Sequence, residues 1–276
     1  MTGRRLVQRA DLEVDVRGVG EPVLFVQTAL TADELLPIAQ QPVLVDRYQT
    51  ILYHRRGYAG SSSSSAPGSI VRDAKDAAAL LEALGIEQAH VVGLSFSGAI
   101  ALQLASAVPD RVHSLILIEP PPVHVPSAAE FRVANARLQQ SRRRAGVAAA
   151  LDEFMTLLMG QQWRSEMQRN LPGSVTQMER DAATFFDIDI PALFTWTYTA
   201  ADAALIAAPV IYVGGSDSGR WFAEVRELLL SWLPQAEDVV IGGADHSLAI
   251  SHPGAIASSL AAFMDRHPIP QGKSSA

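Results

Sequence analysis

The sequence predicts an α/β fold, in which a doubly wound, mostly parallel sheet carries a helical insertion. Short apolar runs alternate with helix-length amphipathic stretches, as in a chain of βαβ units. Several runs are apolar at successive positions, which is typical of strands that are buried on both faces. The alternation stops between Pro120 and Ala208, where no convincing strand is evident.

The expected strands coincide with the apolar runs. Leu6–Val16 alternates only weakly and predicts an edge strand or a hairpin. The other expected strands are Val23–Gln27, Thr50–Tyr53, His90–Gly93, Ser114–Glu119, Pro209–Gly214 and Asp238–Ile241. Helical periodicity predicts helices over Ser69–Leu84, Ser97–Val108, Arg220–Trp232 and Pro253–Arg266. We expect a flexible loop without a packing role at Ser61–Ser65 and a frayed tail at Pro268–Ala276.

The insertion divides the chain into a core, formed by residues 1–120 and 209–276, and a helical cap, formed by residues 121–208. Prolines occur at both ends of the cap, where they interrupt regular secondary structure. The cap holds eight of the 18 aromatic residues, which serve either an ordinary helical core or a lid that faces a ligand. We expect Trp163, Phe186 and Trp196 to bind substrate.

Composition excludes several classes of function. The formal net charge of −7 provides no basic field for nucleic acid or anionic lipid. The absence of cysteine excludes disulfides and thiolate chemistry, and the scattered histidines suggest no metal site. No signal peptide is evident, and no apolar run reaches the roughly 18 residues of a spanning helix. We expect a cytoplasmic protein without metal or cofactor; its oligomeric state, a homodimer included, stays open.

A serine stands at the junction of an expected strand and an expected helix, in Val91–Gly98 (VVGLSFSG). In a nucleophile elbow, G-x-S-x-G, the serine occupies a strained turn and needs small residues two positions away. Gly93 fits this pattern, and Ser97 replaces the second glycine. Ser95 would then project at a helix N-terminus that favours developing negative charge, with the Phe96 N–H directed into an oxyanion hole. The alternative is a serine that merely caps the helix.

A serine nucleophile requires a base. His246 follows the last expected strand in the loop segment GGADHS, downstream of Ser95. His252 is the second candidate, although it opens a helix. Two carboxylates compete to orient the imidazole: Asp217 is the first candidate and Glu119 the second, because each follows a strand that flanks the insertion.

Together these segments resemble the α/β-hydrolase superfamily over nearly the whole chain. Val23–Leu30 is similar to the strand before the oxyanion loop, with Gln27-Thr28 where His-Gly usually stand. The resemblance implies that the Ala29 N–H is the second oxyanion donor. Ile51–Ser62 resembles the D-x-R-G-x-G-x-S loop, with His54 at the Asp position.

The resemblance also implies that Ser95 is the nucleophile, His246 the base and Pro209–Asp217 the usual acid-bearing strand. Some members, such as lipases and zearalenone lactonases, carry the acid after the preceding strand, and the Leu117–Pro120 ending suits that variant. The insertion corresponds to the cap domain of the superfamily.

The expected function is therefore a serine esterase or lactonase that cleaves an apolar or aromatic small molecule through an acyl-enzyme. A cofactor-free C–C bond hydrolase or a perhydrolase would use the same triad. A non-catalytic small-molecule receptor on the same scaffold is a further alternative. A nucleotide-binding protein is disfavoured because no G-x-G-x-x-G or Walker loop follows the first strand.

Overall fold

The computed structural model describes residues 2–7, 10–63 and 67–270. Its strands are β1 (Thr2–Val7), β2 (Ala10–Arg17), β3 (Glu21–Val26), β4 (Tyr48–Tyr53), β5 (Ala89–Leu94), β6 (Val112–Ile118), β7 (Val210–Gly215) and β8 (Glu237–Ile241). In the described residues these eight strands form one sheet in the order β1-β2-β4-β3-β5-β6-β7-β8. β1 pairs antiparallel with β2 and β2 with β4, whereas the remaining pairs are parallel. The prediction of a mostly parallel sheet is confirmed.

The α-helices are α1 (Leu36–Ala39), α2 (Pro42–Val45), α3 (Ile70–Ala83), α4 (Phe96–Ala107), α5 (Ala128–Ala145), α6 (Val147–Met159), α7 (Trp163–Asn170), α8 (Ser174–Thr184), α9 (Ile190–Thr195), α10 (Ala200–Ala203), α11 (Arg220–Trp232), α12 (Leu248–Ser251) and α13 (Pro253–Arg266). A 3₁₀ helix at Pro109–Arg111 precedes β6, and a π-helix at Phe185–Asp189 joins α8 to α9. The four predicted helices correspond to α3, α4, α11 and α13. Of the helices that the structure describes, none combines the length and apolar character needed to cross a bilayer.

The apolar strands are buried because both faces of the sheet are covered. Along β6, Leu115 and Leu117 contribute to one apolar core, whereas Ile116 and Ile118 contribute to the other. Helices α3, α4 and α11 pack on the first face, and α13 packs on the second. Because side chains alternate across a strand, a strand covered on both faces must be apolar at successive positions.

The chain between β6 and β7 is helical in the structure. Helices α5 to α10 and the π-helix fill this interval, and the buried apolar side chains of α5 to α8 and of the π-helix form most of a third apolar core. Leu30, from the loop after β3, and Ile250, on α12, also pack in this core. The division of the chain at residues 121 and 208 stays a prediction.

Two residues of the serine run, Ser61 and Ser62, are hydrogen-bonded to strand β2. The Glu13 N–H donates to Ser61 Oγ at 2.9 Å, and the Asp11 N–H donates to Ser62 Oγ at 3.1 Å. The expectation of a loop without a packing role is therefore wrong for these two serines. Residues 64–66 and 271–276 lie outside the described residues, and so do the parts of the predicted loop and tail that fall on them.

Candidate active site

Ser95 lies in a sharp turn between β5 and α4. Its φ of 50° and ψ of −121° are unfavourable for a residue with a side chain, as is typical of a nucleophile elbow. The turn is held because the Ser95 N–H donates to the Ile118 carbonyl and the Gly98 N–H donates to the Ser95 carbonyl. Ser95 keeps partial exposure while the rest of α4's first turn is buried.

The residues around the turn are small because the backbone folds back on itself. A Cβ on Gly93 would lie 2.5 Å from the Ser97 carbonyl oxygen, and a Cβ on Gly98 would lie 2.8 Å from Pro120. Ser97 does fit, because its buried Oγ accepts from the Leu94 N–H at 2.9 Å and lies 3.0 Å from the Leu94 carbonyl. The departure from G-x-S-x-G at this position is therefore satisfied locally.

His246 joins Ser95 to a buried carboxylate. Its Nε2 lies 3.1 Å from Ser95 Oγ, and its Nδ1 lies 2.6 Å from Glu119 Oε2. The other carboxylate oxygen of Glu119 accepts from the Gly215 N–H at 2.8 Å. Glu119 is 1% exposed and has a φ of 42°, so this strained residue is held between β6 and β7. The structure thus brings Ser95, His246 and Glu119 into one hydrogen-bonded chain.

Asp217, the first candidate for the acid, does not take part in this chain. Both ring nitrogens of His246 are engaged by Ser95 and Glu119. Asp217 is exposed, and its carboxylate accepts from the Ser216 hydroxyl at 2.8 Å. Its N–H donates to the Ala244 carbonyl, so Asp217 is a turn residue that ties the β7 and β8 loops together. The order of the two acid candidates was therefore wrong.

The imidazole is also held by packing that the sequence did not indicate. Phe222, on α11, stacks on the His246 ring with 3.8 Å between ring centroids and 16° between planes. His252, the second candidate for the base, lies elsewhere and contacts Ser251 Oγ. No sequence motif marks Phe222, because an aromatic residue in an amphipathic helix ordinarily serves packing.

The two residues expected to supply the oxyanion donors line the same cavity as Ser95. Phe96 is the first residue of α4, and Ala29 lies in the loop after β3; both line the cavity. In the described part of the chain, neither N–H has a hydrogen-bond acceptor. Their placement is compatible with the oxyanion hole that the sequence predicts.

A buried polar cluster, formed by Arg55, Tyr58, Asp73 and Asp189, supports the loop that carries Ala29. Arg55 pairs with Asp73 at 2.8 Å and with Asp189 at 2.6 Å, and all three are at most 4% exposed. Arg55 also donates to the carbonyls of residues 27 and 28. Because every charge is paired, the cluster can remain buried.

Tyr58 extends this cluster to the oxyanion loop. Its hydroxyl donates to Asp189 at 2.6 Å and accepts from the Leu30 N–H at 3.0 Å. Burial raises the pKa of Tyr58 well above its ordinary value, so the hydroxyl stays protonated and can donate. Leu30 has a φ of 65°, a conformation that a side-chain-bearing residue adopts only when its surroundings hold it. The sequence offered no sign of this support.

His54, at the position where the resembling family has Asp, bridges two carboxylates. Its Nδ1 lies 2.8 Å from Glu13 and its Nε2 lies 2.9 Å from Asp33. Burial disfavours the charged imidazolium, but the two carboxylates outweigh burial and raise the pKa of His54. The bridge joins β2 to the loop that follows β3.

A cavity of about 580 Å³ opens beside Ser95 and His246. Its lining is mostly apolar, and the helices between β6 and β7 provide much of it. Aromatic side chains in the lining are Phe96, Phe131, Phe154, Phe185, Trp221 and Phe222. Such a volume suits a small apolar ligand.

The three aromatic residues expected at the substrate do not line this cavity. Trp163 is 1% exposed and donates through Nε1 to Asp152, and Phe186 is fully buried in the third core. Trp196 donates to Gln103 and packs against the first core instead. The expectation is corrected: these side chains serve packing, and other aromatic residues face the cavity.

Similarity to known proteins extends over most of the chain. Residues 22–253 match the family model described as alpha/beta hydrolase fold. A protein of Azorhizobium caulinodans, provisionally named carbamate hydrolase RutD, is 37% identical over 109 residues, which are 40% of this chain and 41% of that protein. The aligned part thus spans less than half of that relative. A protein with the same provisional name from Caulobacter sp. strain K31 is 24% identical over 241 residues, 82% of this chain and 84% of that one.

The structure is also similar to that of a thermophilic esterase from Thermogutta terrifontis. The TM-score is 0.81, and the match covers 97% of this chain and all of the other at 19% identity. At that identity the likeness concerns the fold.

Proposed function

The chain belongs to the alpha/beta hydrolase fold family, and from that premise we propose that it is a serine hydrolase acting on ester-type bonds. The observation that carries the proposal is the chain of hydrogen bonds from Glu119 through His246 to Ser95. A neutral hydroxyl becomes an effective nucleophile when an adjacent base takes its proton, and the third group keeps that base in the required tautomer.

In the proposed reaction, His246 Nε2 takes the proton of Ser95 Oγ as this oxygen attacks the carbonyl carbon. The Phe96 and Ala29 N–H groups stabilise the negative charge on the former carbonyl oxygen. The C–O bond to the leaving group then breaks, and the imidazolium returns the proton to the departing alcohol. Water, deprotonated by the same imidazole, releases the carboxylic acid and restores Ser95. Glu119, bonded to His246 Nδ1, stabilises the imidazolium.

The proposed substrate is a small carboxylic ester or lactone with an apolar or aromatic portion. The aromatic lining of the cavity and its volume of about 580 Å³ support this choice. Relatives are provisionally named carbamate hydrolases, and a carbamate carbonyl is open to the same attack. A cytoplasmic location and the absence of a cofactor stay predictions.

A fluorophosphonate probe tests the nucleophile directly. We expect one covalent adduct, located by peptide mass spectrometry on Ser95, and parallel loss of p-nitrophenyl butyrate hydrolysis. Ser95→Ala should abolish both labelling and turnover. Ser231→Ala, which removes an exposed hydroxyl on α11, is the matched control and should retain both. Absence of an adduct on Ser95 would support a non-catalytic receptor instead.

A pair of substrates separates ester from carbamate chemistry. We expect p-nitrophenyl butyrate to turn over faster than p-nitrophenyl N-propylcarbamate, because the carbamate nitrogen makes the carbonyl less electrophilic. Steady turnover of the carbamate at the same rate as the ester would instead favour the activity named for the relatives. Both results require an intact Ser95.

A further inference from the structure

Glu34 places a carboxylate without a protein partner in the lining of the cavity beside Ser95. It lies in the turn before α1 and is half-buried. Within the described residues, no hydrogen bond or ion pair reaches its carboxylate. The neighbouring carboxylate of Asp33 is held by His54 at 2.9 Å, so the lack of a partner is particular to Glu34.

The other buried carboxylates near the site are all paired. Asp73 and Asp189 bind Arg55, and Glu119 binds His246 and the Gly215 N–H. A desolvated carboxylate without a counter-charge is unfavourable, so proteins ordinarily pair it or leave it in water. Glu34 is the exception. Its carboxylate has no partner in the described residues, and Glu34 lines the cavity in which a ligand would bind.

Among the residues that the structure describes, no cation pairs with Glu34 in the cavity. Two other charged residues line it, Arg137 and Glu153, and both are largely exposed. No salt bridge joins Arg137 to Glu34, and burial alone raises the pKa of Glu34 to about 7. The lining around it is mostly apolar, so the charge of the carboxylate is less well solvated there than in open water.

The rest of the lining provides a second acceptor. Asn135 is 7% exposed and donates through Nδ2 to the Phe131 carbonyl at 2.9 Å. The oxygen of its amide has no donor in the described residues. A ligand that carries hydrogen-bond donors would therefore satisfy groups that the protein leaves unsatisfied.

We propose that Glu34 recognises a protonated amine on the substrate, so that the enzyme prefers apolar esters that carry an ammonium group at a distance from the scissile bond. The inference rests on the proposed hydrolase function, because Glu34 and Ser95 line one cavity. An ammonium fits better than a neutral donor because it replaces the missing counter-charge and donates charge-assisted hydrogen bonds. The remaining apolar lining accommodates the body of the substrate.

A matched pair of esters provides the test: p-nitrophenyl 4-(aminomethyl)benzoate and p-nitrophenyl 4-ethylbenzoate. They are nearly isosteric, and the amine cannot reach its own carbonyl. For the wild type, kcat/KM should favour the amine ester. Glu34→Gln should lower kcat/KM for this ester by about 10-fold, mainly through KM, and leave the neutral ester within about twofold. Glu82→Gln, an exposed position on α3, is the control and should leave the ratio unchanged.

The pH dependence of the ratio adds a second readout. The preference for the amine ester should grow as pH rises through about 7, because Glu34 ionises while the amine remains protonated. His246 affects both esters equally and therefore cancels in the ratio. Arg137 and Glu153 are the other charged residues that line the cavity, and Asp33 and His54 face each other rather than the ligand. Glu34→Gln should remove the pH dependence of the ratio.

The outcomes separate this inference from the proposed function. If both esters are hydrolysed and Glu34→Gln leaves their ratio unchanged, the amine site is wrong and the hydrolase stands. If neither ester is hydrolysed, the hydrolase is wrong, and calorimetric binding of benzylamine still tests the site. Binding that Glu34→Gln abolishes supports the site, and binding that it leaves unchanged overturns it. Thermal unfolding of the variant should match or exceed that of the wild type, because a desolvated charge is removed.

Discussion

The carboxylate of Glu119 lies 2.6 Å from the imidazole of His246, although 127 positions separate the two residues. The contact is possible because β6 lies between β5 and β7 in the sheet. Glu119 follows the last residue of β6. Its positive φ turns the chain away from the strand direction, at the same edge of the sheet at which Ser95 follows β5. The Gly215 N–H, on β7, then fixes the second oxygen and leaves the first for the histidine.

Glu119→Gln tests the role of this carboxylate. The amide keeps the side-chain shape and can still accept from the Gly215 N–H, but it cannot stabilise the imidazolium. By analogy with the loss of the acid in other triads, kcat for p-nitrophenyl acetate should fall by roughly 10⁴. Asp217→Asn should stay within about twofold, because Asp217 is an exposed turn residue. The reverse ranking of the two variants would assign the acid to Asp217.

Substitutions in the elbow should separate a steric requirement from a hydrogen-bonding one. Gly93→Ala places a Cβ 2.5 Å from the Ser97 carbonyl oxygen, so the turn must distort. We expect a loss of about 1–3 kcal/mol in the free energy of unfolding and loss of most activity. Chemical denaturation and p-nitrophenyl acetate turnover measure both.

Ser97→Gly is the companion variant, because it restores the glycine of the family pattern. It removes the hydroxyl that bonds to Leu94, so stability should fall by about 1 kcal/mol while most activity remains. A tolerated Gly93→Ala, or an inactive Ser97→Gly, would contradict the steric account of the turn.

The sequence predicted the strands and the elbow because both depend on local patterns. Apolar runs mark strands covered on both faces, and the position of Ser95 between β5 and α4 follows from the chain itself. The choice between Asp217 and Glu119 depends instead on which of two adjacent strand ends faces the histidine. That is set by backbone direction at the two residues, and no local pattern encodes it.

The lining of the cavity could not be predicted for a related reason. Phe185 and Phe186 are adjacent in sequence, yet Phe185 lines the cavity and Phe186 is fully buried in the third core. Both belong to a π-helix, whose irregular winding breaks the periodicity by which helix faces are assigned. Aromatic content therefore marked the segment but not the side chains that face the ligand.

Tyr58→Phe should disturb catalysis through the oxyanion loop. It removes the acceptor of the Leu30 N–H and a donor to Asp189, and both groups are buried. Misplacement of the Ala29 N–H weakens stabilisation of the transition state more than binding of the substrate, so kcat should fall about 10-fold with little change in KM. Steady-state kinetics with p-nitrophenyl butyrate provide both constants.

A purely structural role for Tyr58 would lower stability without this split. Tyr198→Phe is the matched control, because its buried hydroxyl donates a long hydrogen bond of 3.4 Å to the Leu102 carbonyl, away from the loop. We expect Tyr198→Phe to retain kcat. An equal fall in kcat for both variants would mean that Tyr58 acts through general destabilisation.

The bridge from His54 to Glu13 and Asp33 should make stability depend on pH. The pKa of His54 is raised in the folded protein, so the folded state binds its proton more tightly than the unfolded state does. The stabilisation is complete below the ordinary histidine pKa of 6.5 and is lost as pH rises through the folded pKa. The difference in unfolding free energy between wild type and His54→Gln should therefore be larger at pH 6 than at pH 8.5, as measured by urea denaturation.

His252→Gln, which removes an imidazole bonded to Ser251 rather than to a carboxylate, should show no such dependence. A difference that stays constant between the two pH values would mean that the bridge does not hold a charged imidazolium.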